Sequence, residues 1–249
     1  MIRFLVLFIA LALPAHAEQV VAGLSQNRIA ITANFDGSEI LIFGAVKRDR
    51  PAPGSDPLQV IIAVSGPSEP VTVRRKAKRL GIWVNVDSVA IQSAPTFYAI
   101  ATTAPFADVI NDTEDQDLHV SIPRAIRRSS NNIADAESFI DALIRIRTKA
   151  GLYQVNPGTI ELDQDTLFQT SVTLPSNLTE GDYSARIILT RGGEVLDVFE
   201  TSIDVSKVGI ERWLFTLAHE RPLIYGLLSL FIAITAGWGA SAIFRYFRP

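Results

Sequence analysis

The chain has 249 residues, of which 20% are charged, and a net charge of −3, so it carries no global field that would attract nucleic acid. It contains no cysteine, which excludes a disulfide framework, thiol catalysis and the common cysteine-based zinc sites. Its three histidines stand in no metal-ligand spacing, and no G-x-S-x-G elbow supports a serine nucleophile. No catalytic residue, metal ligand or cofactor site is therefore assigned, and a non-enzymatic role is expected.

Residues 1–17 combine Arg3, an apolar run from Phe4 to Leu13, Pro14 and the small-residue sequence Ala15-His16-Ala17. This is the pattern of a secretory signal peptide cut after Ala17, and the apolar run is too short to cross a bilayer, which takes roughly 20 residues. From residue 18 to 104 the chain reads as short β-rich runs bounded by Gly, Pro, Asp or Asn: Arg28–Ala33, Glu39–Val46, Leu58–Val64, Pro70–Val73, Ile82–Val86 and Thr96–Ala101. Asp36-Gly37 offers a tight turn between two of them. Regular strand spacing without a helical period predicts an antiparallel, immunoglobulin-like β-sandwich.

Within this segment Arg74-Arg-Lys-Ala-Lys-Arg79 places five cations in six residues and is followed closely by Trp83. In an extended conformation Val71, Val73 and Arg75 share one face, and Arg74, Lys76 and Lys78 the other. The charges serve either as a guard against edge-to-edge strand pairing or as an anion or acidic-partner patch of Arg74, Arg75, Lys76, Lys78, Arg79 and Trp83.

Residues 105–157 form a connecting segment. An acidic stretch, Asn111–Asp117, lacks the central Gly and downstream Glu of an EF-hand and reads as a solvated loop. His119, between Leu118 and Val120, reads as an outward position of a short strand, and Arg124–Arg128 as a basic loop. An amphipathic helix follows over 133–150, with Ala136, Phe139, Ile140, Leu143 and Ile144 on one face, Asn132 as cap and Gly151 as terminator.

A second β unit covers 158–206, either small or sharing strands with the first. It holds a strand at Thr166–Leu174, a corner, a strand at Ser184–Thr190, a Gly192-Gly193 turn and a strand at Val195–Val205. The spacing Leu178-x-x-Gly181-x-Tyr183 looks like a tyrosine corner, in which a phenol bonds back across the turn. Residues 207–221 place Ile210, Trp213, Leu214, Leu217 and Ala218 on one apolar stripe, which suits a helix in the membrane interface or an extension of the next element.

Residues 222–244 carry no charge. As a helix they reach roughly 34 Å, enough to cross a hydrocarbon core of about 30 Å. Arg221 bounds the segment on one side; Arg245 and Arg248 bound it on the other, with Tyr246 and Phe247 placed as an aromatic belt. A cleaved signal exports the body, so the positive-inside rule puts residues 245–249 in the cytoplasm. The expectation is a single-pass inner-membrane protein with a periplasmic body. Ala233, Gly237 and Ser241 recur every four residues, a spacing that lets another helix approach closely.

The block Gly81–Ala101 has a G-I-W-x-N start and a P-x-F-Y-A end. With the signal peptide, the β-rich body and the final anchor with its aromatic-basic tail, it resembles the "putative transmembrane protein" family of alphaproteobacteria over essentially the whole mature chain. That resemblance implies an accessory role beside permeases of the sulfite-exporter type and supplies no catalytic residues. Two functions follow: docking onto an integral membrane partner, or periplasmic capture of an anion or other solute. The expected contacts are a permease-like membrane protein and the lipid bilayer, with no nucleic acid.

Overall fold

The computed structural model describes residues 18–32, 34–48, 56–128 and 136–246. The expected signal peptide, the expected Asn132 cap and residues 247–249 lie outside them. The chain divides into two compact units: a body made of residues up to 29 and 35–205, and an anchor unit made of 30–34 and the residues from 206 onward.

The body is mainly β. A four-stranded antiparallel sheet has the order β1 (Glu18–Leu24), β3 (Gly37–Arg48), β11 (Leu167–Pro175), β10 (Glu161–Asp163). A six-stranded sheet has the order β2 (Arg28–Ile31), β13 (Glu194–Lys207), β12 (Gly181–Arg191), β4 (Leu58–Ser65), β7 (Tyr98–Thr102), β9 (Tyr153–Pro157). β9 joins β7 in parallel. A third sheet is the hairpin β5 (Ser68–Arg79) and β6 (Ile82–Pro95) with the short β8 (Arg127–Arg128).

The two β-rich segments read from the sequence thus share both larger sheets: β3 pairs with β11, and β4 with β12. The connecting segment 105–157 falls in the same compact unit as both. Asp36-Gly37 does not close a hairpin either, because β2 and β3 lie in different sheets.

Alternation explains the layering. β4 is buried at Leu58 and at every position from Val60 to Val64, as expected of a strand covered on both faces. Ile61 and Ala63 join Tyr98, Ile100 and Ile188 in a core closed by helices and by the β5–β6 hairpin. Val60, Ile62 and Val64 are equally buried on the opposite face of the strand. On the four-stranded sheet, burial alternates along β3 at Ile40 and Ile42 and along β11 at Phe168, Thr170, Val172 and Leu174.

The connecting segment is more ordered than its composition suggests. It contains α1 (Phe106–Val109), α2 (Asp112–Leu118), α3 (Ile122–Ala125) and α4 (Ala136–Lys149). The acidic stretch expected to be a loop is α2. Asn111 caps it by accepting the Glu114 N–H at 2.9 Å, and Asp112, Glu114 and Asp115 lie in the first turn, where the helix dipole favours them. Asp115 is buried and accepts the N–H groups of Val120 and Ser121 at 3.1 and 2.7 Å. His119 is not on a strand: it ends α2 in the left-handed conformation, φ 52°. Part of the expected basic loop is helical too, with Arg124 on α3 paired to Asp112 and Asp115.

α4 buries Phe139, Ile140 and Leu143 in the helix-side core, with Ile144 packed at its margin. Gly151 follows with φ +74°, the backbone state expected of a glycine terminator. At the corner before β12, the Tyr183 hydroxyl donates to the Thr179 carbonyl at 2.8 Å, as the Leu178–Tyr183 spacing predicts.

The anchor unit contains α5 (Ile210–Glu220) and α6 (Pro222–Tyr246). In α5, Phe215 stacks on His219 at 4.1 Å, and the His219 Nδ1 lies 2.9 Å from the Phe215 carbonyl. α6 is the one helix among the described residues that is long and apolar enough to cross a membrane, over Pro222–Ser241, and none of that span is buried by protein.

Candidate functional site

The basic run forms the outer half of the β5–β6 hairpin. The chain reverses through Leu80 and Gly81, with φ values of 48° and 88°. Positive φ at both residues is the mark of a two-residue primed turn, which matches strand twist; glycine suits it, whereas leucine is an unusual occupant. β8 pairs only with Ile91 and Ser93, so from Arg74 and Ser88 outward the hairpin is a bare two-stranded ribbon among the described residues. This arm extends about 20 Å, at about 3.4 Å per residue.

Register sorts its side chains. Arg74 lies opposite Ser88, Lys76 opposite Asn85 and Lys78 opposite Trp83, so three cations and the indole occupy one face. On the other face Arg75 lies opposite Asp87 and Arg79 opposite Ile82. Arg75 is drawn away from the set: its guanidinium stands 4.5 Å over the Phe139 ring and donates to Ser138 Oγ at 2.6 Å, both on α4. A groove of about 390 Å³ between β5 and α4 is lined by Arg74, Arg75, Lys76 and Arg145, while Lys78, Arg79 and Trp83 lie outside it, nearer the turn. The six residues singled out from the sequence are thus one arm but not one site. At the turn Leu80 is fully exposed, Ile82 is 65% exposed and Trp83 67%.

A larger cleft, about 590 Å³, opens where the six-stranded sheet meets α2, α3 and β8. Its charged lining comes from Arg124 on α3, Arg127 on β8, Arg186 on β12 and Glu200 on β13, joined by His119, Tyr98 and the hydroxyls of Ser65, Ser68 and Ser184. Arg186 is half-buried and is held by neutral groups: Nη1 donates to the Leu118 carbonyl at 2.8 Å, and Nη2 approaches the Tyr98 hydroxyl at 3.3 Å and the His119 carbonyl at 3.5 Å. The Tyr98 hydroxyl in turn donates to the Val120 carbonyl at 2.8 Å. Burial pushes the Tyr98 phenol above its ordinary pKa, partly offset by the Arg186 charge. Arg124 is neutralised by Asp112 and Asp115, but Arg127 and Arg186 have no carboxylate within 4.0 Å among the described residues.

Sequence reasoning missed this cleft because its members come from nine separated elements. The one local signal was Arg186, a lone cation inside the apolar run Ala185-Arg-Ile-Ile-Leu189. No group of three or more potential metal ligands gathers among the described residues.

On α6, Ala233, Gly237 and Ser241 are exposed and share one side by their four-residue spacing. A side chain added at Gly237 would meet no protein atom within 4 Å. The Ser229 and Thr235 hydroxyls on this helix are satisfied internally, donating to the Tyr225 and Phe231 carbonyls.

Residues 19–246 match the family described as "putative transmembrane protein". The chain belongs to that family. Membership and α6 together make it a membrane protein with one candidate C-terminal transmembrane helix. No curated protein matches the chain. Among solved structures it is similar to Spo0M, a sporulation control protein from Bacillus subtilis, with 13% identity over 82% of this chain and a TM-score of 0.28; the chain spans 55% of that protein's length.

Proposed function

We propose that the chain is a membrane-anchored accessory module that docks onto an integral membrane partner, such as a permease of the sulfite-exporter type, and has no catalytic role of its own. In this reading residues 1–17 are removed on export, the body works on the periplasmic side of the inner membrane, α6 lies in the bilayer, and the C-terminus is cytoplasmic.

The β5–β6 arm carries the reading. A lone two-stranded ribbon is marginal in water, and here it ends in exposed Leu80, Ile82 and Trp83 beside Lys78 and Arg79. An aromatic and aliphatic tip with a cationic rim has the composition of a protein-docking surface. Gly237 and its small neighbours give the anchor a second place for close helix packing.

The test is crosslinking and detergent-stable co-purification of the full chain from native membranes. The expected result is a polytopic partner, weakened by L80S/I82S/W83S and by Gly237→Leu. Equal recovery with both variants, or no polytopic partner, rejects the proposal. A second reading, capture of an anionic solute by the body, is favoured by the unneutralised arginines of the 590 Å³ cleft.

A further inference from the structure

We propose that this cleft binds a small organic oxyanion, a molecule with a carboxylate or phosphate group on a polar, hydroxyl-bearing body, through Arg127 and Arg186. The inference rests on the solute-capture reading and is independent of docking through the arm.

Three features point the same way. A half-buried guanidinium without a close counter-charge is costly, and among the described residues no carboxylate stands within 4.0 Å of Arg186: Glu200 faces it across the β12–β13 pair without forming an ion pair, and its hydrogen-bond partners are the Leu118 and His119 carbonyls and the Tyr98 hydroxyl. Those partners fix the fork without neutralising it, so the positive charge remains available to a ligand. Tyr98 is itself tied to the Val120 carbonyl, and the α2–α3 turn that presents these carbonyls is held by Asp115 through two backbone N–H groups. The guanidinium is therefore preorganised, which lowers the entropic penalty of binding.

Arg127 adds a second charge from an independent element. It is exposed and has no ion pair among the described residues. Planar forks suit carboxylate and phosphate oxygens, which they can hold in two parallel hydrogen bonds.

The remaining lining sets the ligand class. Ser65, Ser68 and Ser184 offer hydroxyls that both donate and accept, and Glu200 offers an acceptor. Sulfate has no donor for Glu200, and either inorganic ion would leave most of a 590 Å³ cleft to water. A hydroxyl-bearing organic anion can meet Arg127 and Arg186 with its acid group while its hydroxyls reach the serines and Glu200, which faces Arg186 across the β12–β13 pair. The groove beside α4 is the weaker rival: Arg75 already contacts Phe139 and Ser138 there, and its other cations come from one strand and one helix without a hydroxyl-rich wall.

Calorimetric titration of the full chain in detergent at low salt, with glycerol 3-phosphate, citrate, inorganic phosphate and sulfate as probes, tests this. An organic anion should bind more tightly than either inorganic ion, and binding should weaken as salt rises. Arg127→Ser should reduce affinity roughly tenfold, the order of one lost charge-assisted contact. Arg186→Gln, which keeps a donor toward Leu118, should reduce it further; Arg127→Ser keeps the test valid if Arg186→Gln unfolds. R74S/K76S should leave binding unchanged.

Binding unaffected by both cleft variants but lost in R74S/K76S overturns the cleft assignment and leaves solute capture standing. Binding of the two inorganic ions alone, abolished by Arg127→Ser, overturns the organic class. No heat with any probe overturns the cleft assignment and solute capture together.

Discussion

Asp115→Ala is the substitution that most directly separates the structure from a composition-based view of residues 111–117. The Asp115 side chain is 8% exposed, and Oδ1 accepts two backbone N–H groups, from Val120 at 3.1 Å and Ser121 at 2.7 Å, while Oδ2 lies 3.3 Å from Arg124. Alanine leaves both donors without their acceptor. Val120 is fully buried, so its N–H bears the whole penalty of about 1–3 kcal/mol for an unmet buried donor. Ser121 is half-buried and can recruit water, so about 1 kcal/mol is the reasonable addition. The pair with Arg124, which is partly exposed, adds at most about 1 kcal/mol. The sum, about 2–5 kcal/mol, is a large share of the roughly 5–15 kcal/mol typical of a domain. Asp115→Asn retains an acceptor oxygen and should lose about 1 kcal/mol. Urea pulse proteolysis of the full chain in detergent reads the unfolding of the body while α6 stays in the micelle. A loss below about 0.5 kcal/mol for Asp115→Ala would mean the carboxylate is solvated and the turn held by other means, because ordinary surface changes fall within that range.

Other expectations rest on single contacts. Glu18, 3% exposed at its side chain, bonds both Arg48 and Arg191 through Oε1 at 2.8 and 2.9 Å, so Glu18→Ala takes the carboxylate from both guanidinium groups, leaving Arg48 only the Asp165 carbonyl among the described residues, and should lower stability by about 3–5 kcal/mol in the same urea assay. Gly44→Ala should lose about 1–3 kcal/mol, because a methyl there would collide with the Phe168 ring and stand 2.7 Å from the Val21 carbonyl; unchanged stability would show that β1 and β11 can part. Burial raises the phenols of Tyr98, Tyr153 and Tyr183, so their contribution to stability is complete below the unfolded value of about pH 10 and is lost as pH climbs through the folded values. Denaturant midpoints measured from pH 8 to pH 11 should fall at the alkaline end, and Tyr98→Phe should make that fall shallower; an identical slope would place the Tyr98 phenol in solvent.

Strands were legible where one physical signal dominated. Arg28–Ile31, Leu58–Ser65 and Leu167–Pro175 alternate, or run continuously apolar, between turn residues, and Gly151 and Tyr183 perform the terminating and corner roles their spacing suggests. Sheet membership was not legible, because antiparallel pairing between β3 and β11 joins residues more than a hundred positions apart and leaves no local trace. α2 was hidden for a different reason. Its sequence, Asp-Thr-Glu-Asp-Gln-Asp-Leu, has poor intrinsic helix propensity, and it is held by a cap at Asn111, by the dipole at its acidic first turn, and by Asp115 facing inward. A buried aspartate that serves backbone donors looks, in sequence, like any solvated acid. The basic run was visible as charge, but its division into an arm face, a contact with α4 and an exposed apolar turn depends on register and on where the third strand of its sheet stops.

The two candidate surfaces differ in the kind of order that supports them, and this bears on what each can do. The cleft is lined by β12 in the six-stranded sheet and by a turn whose backbone donors are met by Asp115, so Arg186 is held before a ligand arrives. Such rigidity suits recognition of a small anion, where a misplaced guanidinium loses its paired hydrogen bonds. Among the described residues the arm has no third strand beyond Ser88, and its register slips at Arg75 and Lys76. Local stability follows buried contacts, so the arm belongs to the weakly protected part of the body. A surface of that kind can adjust to a large partner and gains order when Leu80, Ile82 and Trp83 are covered. Amide exchange should accordingly be fast from 76 to 86 in the isolated chain and slow there in a complex, whereas the amides of Val120 and Ser121 should be slow in both. Uniform protection along the hairpin without a partner would contradict this division.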